Sequence, residues 1–408
     1  MHNIIFYLIL IIPVTGFLLE RYLEYLNSRM WSDKLPEKLK GVCDEEKYRK
    51  TLLYEKDNTR LSFWTSLFNL SVIVGMILAG GFAVIDNFAR SLSSNIVVVS
   101  LIFFGIIGFA SDIINLPFTY YDTFVIEKKY GFNTMTLRVF ITDHLKSWFI
   151  ALLVGIPVLG LITWLYYRIG SQFWLYAWGL ITIFSIVINL FYSQLIVPLF
   201  NKQTPLEDNQ LRKKIEAFAE KTGFRISNIY VIDSSRRSTK ANAYFSGFGP
   251  KKRIVLFDTL LKELSEEEIV AVLAHEIGHY RKKHVLRSLI LSVFLTGLML
   301  FLFSLIVNSP MLSRALGAST PSFHLGLMVF GILYSPLSLL IGLVTNSISR
   351  SNEFEADGFA RLNYEGRLLA EALKKLSVRN LSNMMPHPAY VFFHYSHPPL
   401  LARLEKLE

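Results

Sequence analysis

Seven stretches of this chain are long and apolar enough to cross a bilayer, and that leaves few folds open. They run at about 4–23, 63–84, 96–117, 147–167, 173–195, 286–308 and 325–347. A hydrocarbon core of about 30 Å takes about 20 helical residues. Inside it every backbone N–H and C=O needs a partner within the structure, which selects helices over open sheets. The chain is therefore expected to be a polytopic α-helical membrane protein. Charged residues make up only 18% of it, fewer than a soluble domain of this length carries. The first stretch follows Met1-His2-Asn3, with no basic head and no small-residue cleavage site. It reads as a retained span, not as a removed signal peptide.

The polar segments between spans give the orientation. The long ones, about 24–62, 118–146, 196–285 and 348–408, hold nearly all the lysines and arginines, and the short ones hold only Arg90, Arg168 and Arg314. Basic loops stay in the cytoplasm, so an odd number of spans puts the N-terminus outside and the C-terminus inside. The net charge of +10 is read as this signal, and no nucleic-acid partner is expected. A single cysteine, Cys43, excludes an internal disulfide and a CxxC metal site. It sits among acids that disfavour a thiolate. Two domains are expected: 1–195, with five spans, and 196–408, interrupted by the spans at 286–308 and 325–347.

The segment 196–285 is the main polar module. Residues 206–223 show helical spacing and end at Gly223. Ile229–Ile232 and Arg253–Phe257 read as short strands, separated by a turn-rich stretch at 241–250. Ser265 and Glu268 have capping-box spacing and open a helix. On that helix lies His275-Glu276-Ile277-Gly278-His279, an HExxH motif. Histidines four apart project from one helical face and can share one zinc ion. The glutamate between them is placed to take a proton from water activated by the metal. Gly278 lets another backbone come close.

A catalytic zinc needs a third protein ligand and an open position. No HxxGxxH continuation follows, and His284 has the wrong offset for one. Acids beyond the last span are the candidates: Glu353 and Asp357 stand four apart, on one helical face. That pair suits one carboxylate on the metal and another holding the N–H of a ligand histidine; Glu355 points elsewhere. At the tail, His394 and His397 precede a helix start, where an imidazole can act on a substrate carbonyl or oxyanion. Asp112, Asn115 and Asn189 fall inside spans and suit either a wet interior or hydrogen bonding between helices.

HEIGHY, the EFEAD segment, ANAYFSGFGPKKRIVLFDTLL, HYSHPPLLARL and LPFTYYDTFVIEKKYGFN at 116–133 together resemble the type I CAAX prenyl proteases, integral-membrane zinc endopeptidases of the gluzincin kind. The resemblance implies seven helices around an intramembrane chamber, capped by a cytosolic α/β metalloprotease domain. It implies one zinc per chain on His275, His279 and Glu353, with Glu276 as general base and then proton donor. Asn242, in NAYF, and His397, in HPP, would orient substrate or stabilise the oxyanion. Asp357 would stand behind the ligands, and Arg403 is a weaker candidate for the same neighbourhood. The partners would be a peptide or protein substrate, with or without a C-terminal prenyl group, and membrane lipid. Short outer loops and the absence of a dilysine-type tail lead us to expect a bacterial member in the inner membrane, whose substrate need not be prenylated; a eukaryotic member would sit in the endoplasmic reticulum. The same chemistry in membrane-protein quality control is the alternative activity. A non-catalytic scaffold with a retained metal site is the alternative class.

Overall fold

The computed structural model describes residues 3–32, 34–224, 228–246 and 253–407. Each expected apolar stretch falls on a helix. These are α1 (Ile4–Ser28), α2 (Glu45–Leu78), α4 (Ile96–Tyr121), α5 (Leu137–Ile169), α6 (Phe173–Leu195), α11 (His284–Ile306) and α13 (Phe323–Asn363). Among the described residues six helical runs are long and apolar enough to cross a membrane, and one of them, Leu137–Phe200, has 64 residues. A 3-10 turn at Gly170–Gln172 divides that run into α5 and α6, so it supplies two of the seven. Gly170 has φ of +71°, a conformation that glycine adopts without steric cost.

The boundaries move where local chemistry overrides hydropathy. Residues 79–84, expected to end the second span, instead form a turn and open α3 (Gly81–Leu92), because Gly80 takes φ of +65° and breaks the helix. α2 starts well before its apolar stretch, at the cap where the Asp44 side chain accepts from Lys47 N. α13 continues sixteen residues past the expected end at 347. Asn352, Glu353, Ala356, Asp357 and Ala360 are all buried along this extension. Their spacing is that of one helical face, so the last membrane helix runs on into the polar module.

That module joins helices to a four-stranded sheet. β1 (Gln203–Pro205), β2 (Asn228–Ile232), β3 (Ala243–Ser246) and β4 (Arg253–Phe257) lie in the order β1-β2-β4-β3. β2 and β4 run parallel, with Asn228 opposite Arg253. β1 pairs antiparallel with β2, and β3 antiparallel with β4. Two of these strands contradict the expected helix–strand–strand–helix order. β1 is three residues long and carries Pro205, which an edge strand tolerates. β3 lies inside the stretch expected to be turn, of which 247–250 falls outside the described residues.

One face of the sheet, with Ile229, Ile254 and Leu256, packs into a core with Ile215 and Phe218 of α8 (Gln210–Lys221) and with Leu273 and Ile277 of α10 (Glu266–Arg281). α10 opens on the expected capping box: Ser265 Oγ accepts from Glu268 N, and the Glu268 carboxylate accepts from Ser265 N. Glu266, Glu267 and Glu268 in its first turn favour the positive end of the helix dipole. Short helices α7 (Val197–Phe200), α9 (Asp258–Glu263) and α12 (Pro310–Ala315) link the larger pieces. α14 (Gly366–Arg379), α15 (Pro388–His394) and α16 (Leu400–Leu407) fold the tail back against α10 and α13.

Polar ties fix the module to the bundle. Arg237 donates in a fork to Asp143 on α5 at 2.8 and 3.0 Å. Lys240 reaches Tyr54 on α2 at 2.9 Å and Glu127, beyond α4, at 3.0 Å. At the opposite end a buried network joins three helices: His324 of α13 bonds Asp86 of α3 at 2.7 Å and Ser100 of α4 at 2.9 Å, and Arg90 donates to Asp86. The order resembles a Ser-His-Asp triad. His324 is fully buried and no solvent reaches Ser100, so this is a structural clamp.

Candidate metal centre

His275, Glu276 and His279 share the last turns of α10, and Glu353 faces them from α13. The helices can approach because position 278 is glycine. A Cβ there would lie 3.1 Å from the Cα and carbonyl oxygen of Ala356 and from the Cβ of Phe359. This close contact brings the α13 carboxylate to the two imidazoles.

The donor atoms form a tight triangle. His275 Nε2 and His279 Nε2 are 3.1 Å apart. Glu353 Oε2 lies 3.4 Å from His275 Nε2, and Glu353 Oε1 lies 3.2 Å from His279 Nε2. Tetrahedral zinc with bonds of about 2.1 Å would separate its ligand atoms by about 3.4 Å, so the spacing matches. Two further observations favour a cation. Glu353 Oε2 is buried and has no hydrogen bond, which in a closed polar site costs about 1–3 kcal/mol. His275 gives its Nδ1 proton to Asp357 Oδ1 at 2.8 Å. In its neutral form it therefore points a lone pair at the other histidine. Among the described residues His275, His279 and Glu353 are the group whose donor atoms could hold one metal ion.

Both histidines are held from behind. Asp357 accepts from His275 and takes a fork from Arg403 of α16, with Nε at 2.9 Å and Nη2 at 2.6 Å. Arg403 Nη1 also stands 3.7 Å from Glu353. His279 Nδ1 shares a hydrogen bond with His284 Nδ1 at 3.0 Å, and His284 Nε2 lies 3.3 Å from Glu355 Oε2. Neither His284 nor Glu355 was expected here. His284 is unsuited to be a ligand by its offset, yet it sits one turn beyond His279 and backs it. Glu355 points away from the Glu353 face as expected, but toward this second histidine. Only tertiary packing reveals either role.

Burial disfavours a charged His275, but the hydrogen bond to Asp357 and then the Glu353 carboxylate 3.4 Å away outweigh it. Together they push its pKa up to about 9. Glu276 is half-buried, and its charge favours the protonated forms of His275 and Arg403. His397 brings Nδ1 to 3.0 Å from Glu353 Oε1 while its side chain stays 67% exposed, so it both touches the cluster and faces the space outside it. His394 turns away, toward Glu20 at 3.5 Å. Asn242 is exposed just before β3. Its Oδ1 accepts from Ala243 N at 2.8 Å, and among the described residues no hydrogen bond joins it to the cluster. A cavity of about 460 Å³ opens from His279 and His284 between α6 and α11, lined by Asn189, Ser288, Ser292 and Asn352. Asn189 thus belongs to a polar interior, whereas Asn115 is bonded across helices by Asn69 at 3.0 Å.

The family profile of peptidase family M48 matches residues 205–408, and that described as "CAAX prenyl protease N-terminal, five membrane helices" matches residues 24–202. The chain belongs to peptidase family M48. This M48 peptidase is 36% identical to CAAX prenyl protease 1 of Saccharomyces cerevisiae, over 97% of its own length and 93% of the relative's. It is 37% identical to the CAAX prenyl protease 1 homolog of Arabidopsis thaliana, over 97% and 96%. The crystal structure of Ste24p from S. mikatae superposes with a TM-score of 0.95 at 34% identity, covering 100% of both chains. The M48 peptidase is accordingly an integral, multi-pass membrane metalloprotease that hydrolyses peptide bonds, of a family that works with zinc. The relatives named here are eukaryotic, which lends no support to a bacterial source.

Proposed function

We propose that this M48 peptidase cleaves peptides near a prenylated C-terminal cysteine, as the names of its relatives describe for them, with one zinc per chain on His275, His279 and Glu353. The observation that carries the reading is the triangle of donor atoms assembled from α10 and α13 with Glu276 beside it. Zinc, when bound, supplies a Lewis acid that acidifies water and polarises a carbonyl. The chain's own residues do the rest. Glu276 takes the proton of the attacking water and passes it to the leaving amine nitrogen. His397, exposed and within reach of the cluster, donates to the developing oxyanion. Asp357 and Arg403 fix the His275 ring, and His284 backs His279.

The peptide lies extended along β3. This strand is at the edge of the sheet, which leaves one side of it open to an added strand once Ala243 N exchanges its bond to Asn242 Oδ1. Asn242, at its start, orients that chain. The excess of lysine and arginine in the long loops supports a cytoplasmic module and active site.

Glu276→Gln tests the assignment. The variant is expected to keep its zinc and lose at least about two orders of magnitude in rate on a farnesylated CAAX peptide. Full activity in that variant would end the reading of Glu276 as the base.

A further inference from the structure

Between α4 and α5 the bundle leaves an apolar cavity of about 630 Å³. α4 lines it with a stripe from Val98 to Asp112, and α5 with one from Ser147 to Leu159. Glycines make the space: a Cβ at Gly105, Gly108 or Gly155 would meet nothing within 4 Å. The helices close again toward the outer end, where a Cβ on Gly160 would stand 3.6 Å from Leu101. At the other end Trp148 Nε1 donates to Asp112 Oδ2 at 2.8 Å, and the Trp148 ring packs edge-on against Phe109. This polar end is the one toward the protease module. α5 is tied to that module just before it, by the Asp143–Arg237 fork and by Lys146 Nζ donating to Leu199 O at 2.7 Å.

We propose that this cavity receives the isoprenyl chain of the substrate, with the modified cysteine at the Asp112–Trp148 end. The inference rests on the prenyl-protease reading above. Its volume falls within the roughly 300–1,000 Å³ of small-molecule sites. The stripe from Val98 to Asp112 is about 21 Å long, long enough for an extended chain, and Asp112 is its single charged residue.

Charge selects the occupant. Asp112 Oδ1 has no partner among the described residues, and a peptide N–H next to the prenylated cysteine can donate to it. The phosphate of a membrane lipid would be repelled there. Asp112 also lies about 13 Å along the helix from the end of α4, deeper than a lipid headgroup sits. The cavity thus fits an apolar chain joined to a neutral amide donor, which a prenyl-cysteine peptide supplies without the phosphate that every phospholipid carries.

The test fills the cavity in the full-length enzyme. Gly108→Phe and Gly155→Phe are compared with Gly75→Phe, which enters open space on α2 outside the cavity. Each enzyme, in detergent, is assayed on a farnesylated peptide and its unmodified twin. The expected result is a fall of at least tenfold in the ratio of the two kcat/KM values for the cavity variants, carried by KM of the farnesylated peptide. A photoreactive farnesyl group is expected to crosslink within 98–112 or 147–159. Three outcomes overturn the cavity alone: a wild-type preference that survives filling, crosslinks elsewhere, or a co-purifying phospholipid that filling expels. A wild type with no preference for the farnesylated peptide overturns the prenyl reading itself.

Discussion

Replacing Gly278 by alanine probes the contact on which the metal centre depends. The added methyl would stand 3.1 Å from the Cα and carbonyl oxygen of Ala356 and from Phe359 Cβ. Comfortable carbon contacts begin at about 3.5 Å, so something has to yield by about 0.4 Å. Two of the three atoms are helix backbone and the third is attached directly to it, so no flexible side chain can move aside. The movement has to separate α13 from α10. Overpacking of this kind costs about 1–3 kcal/mol. The same displacement draws Glu353 away from His275 and His279, so part or all of the cost falls on metal binding. If all of it does, zinc affinity drops roughly 5- to 150-fold. The assay is zinc retention against a competing chelator, together with the thermal midpoint of the zinc-loaded protein. Gly358→Ala is the control: it lies on α13, the helix that packs on Gly278, and its Cβ would meet nothing within 4 Å. Gly278→Ala with the zinc affinity and melting of the control would refute the idea that helix proximity sets the ligand triangle.

Asp357→Ala removes the acceptor behind His275 and is expected to weaken zinc binding about 10–100-fold; Arg403→Lys, which loses the fork to Asp357, should move it the same way by less, both by chelator competition. Zinc uptake should depend on pH, because binding has to displace the proton that His275 holds up to about pH 9; apparent affinity rises close to tenfold per unit between about pH 7 and 9, and a flat titration would contradict this. The stability of the zinc-stripped protein runs the other way. A histidine raised from about 6.5 in the unfolded chain stabilises the fold fully below that value, and the contribution is lost as pH rises to about 9, which melting of the stripped protein will show. His324→Ala removes one buried hydrogen bond each from Asp86 and Ser100 while Arg90 still pairs with Asp86, and should cost about 1–3 kcal/mol in thermal unfolding while leaving zinc content unchanged.

The parts that could be read in advance are those whose geometry is local. His275 and His279 lie on one helix at a spacing that fixes their common face, and Ser265 with Glu268 marks where that helix begins. Glu353 and Asp357 were legible as a pair for the same reason, and the structure separates them: one carboxylate faces the imidazoles, the other takes a proton from behind. The backing of His279 by His284 and Glu355 was not legible, because an offset of five residues means nothing until the chain turns into α11 at Lys283. β3 hid in Ala243–Ser246, four residues beside glycines and a proline, where turn composition masks a strand that exists only by pairing with β4. Hydropathy ran straight through Gly80 because it registers apolar residues and not backbone conformation. Similarly, the extension of α13 was invisible as a membrane signal, since its buried face packs on protein.

The single helix from Phe323 to Asn363 has a consequence for how a cell can make this enzyme safely. His275 and His279 leave the ribosome first, and Glu353 follows 74 residues later, roughly 4 to 15 seconds at ordinary synthesis rates. Two further spans must insert before its carboxylate can meet them, and Arg403 and His397 arrive later still. A nascent chain therefore carries the signature of a protease without the means to act as one. On the proposed ligand set, proteolysis would switch on only after Glu353 has joined the two histidines, a delay built into the order of the chain.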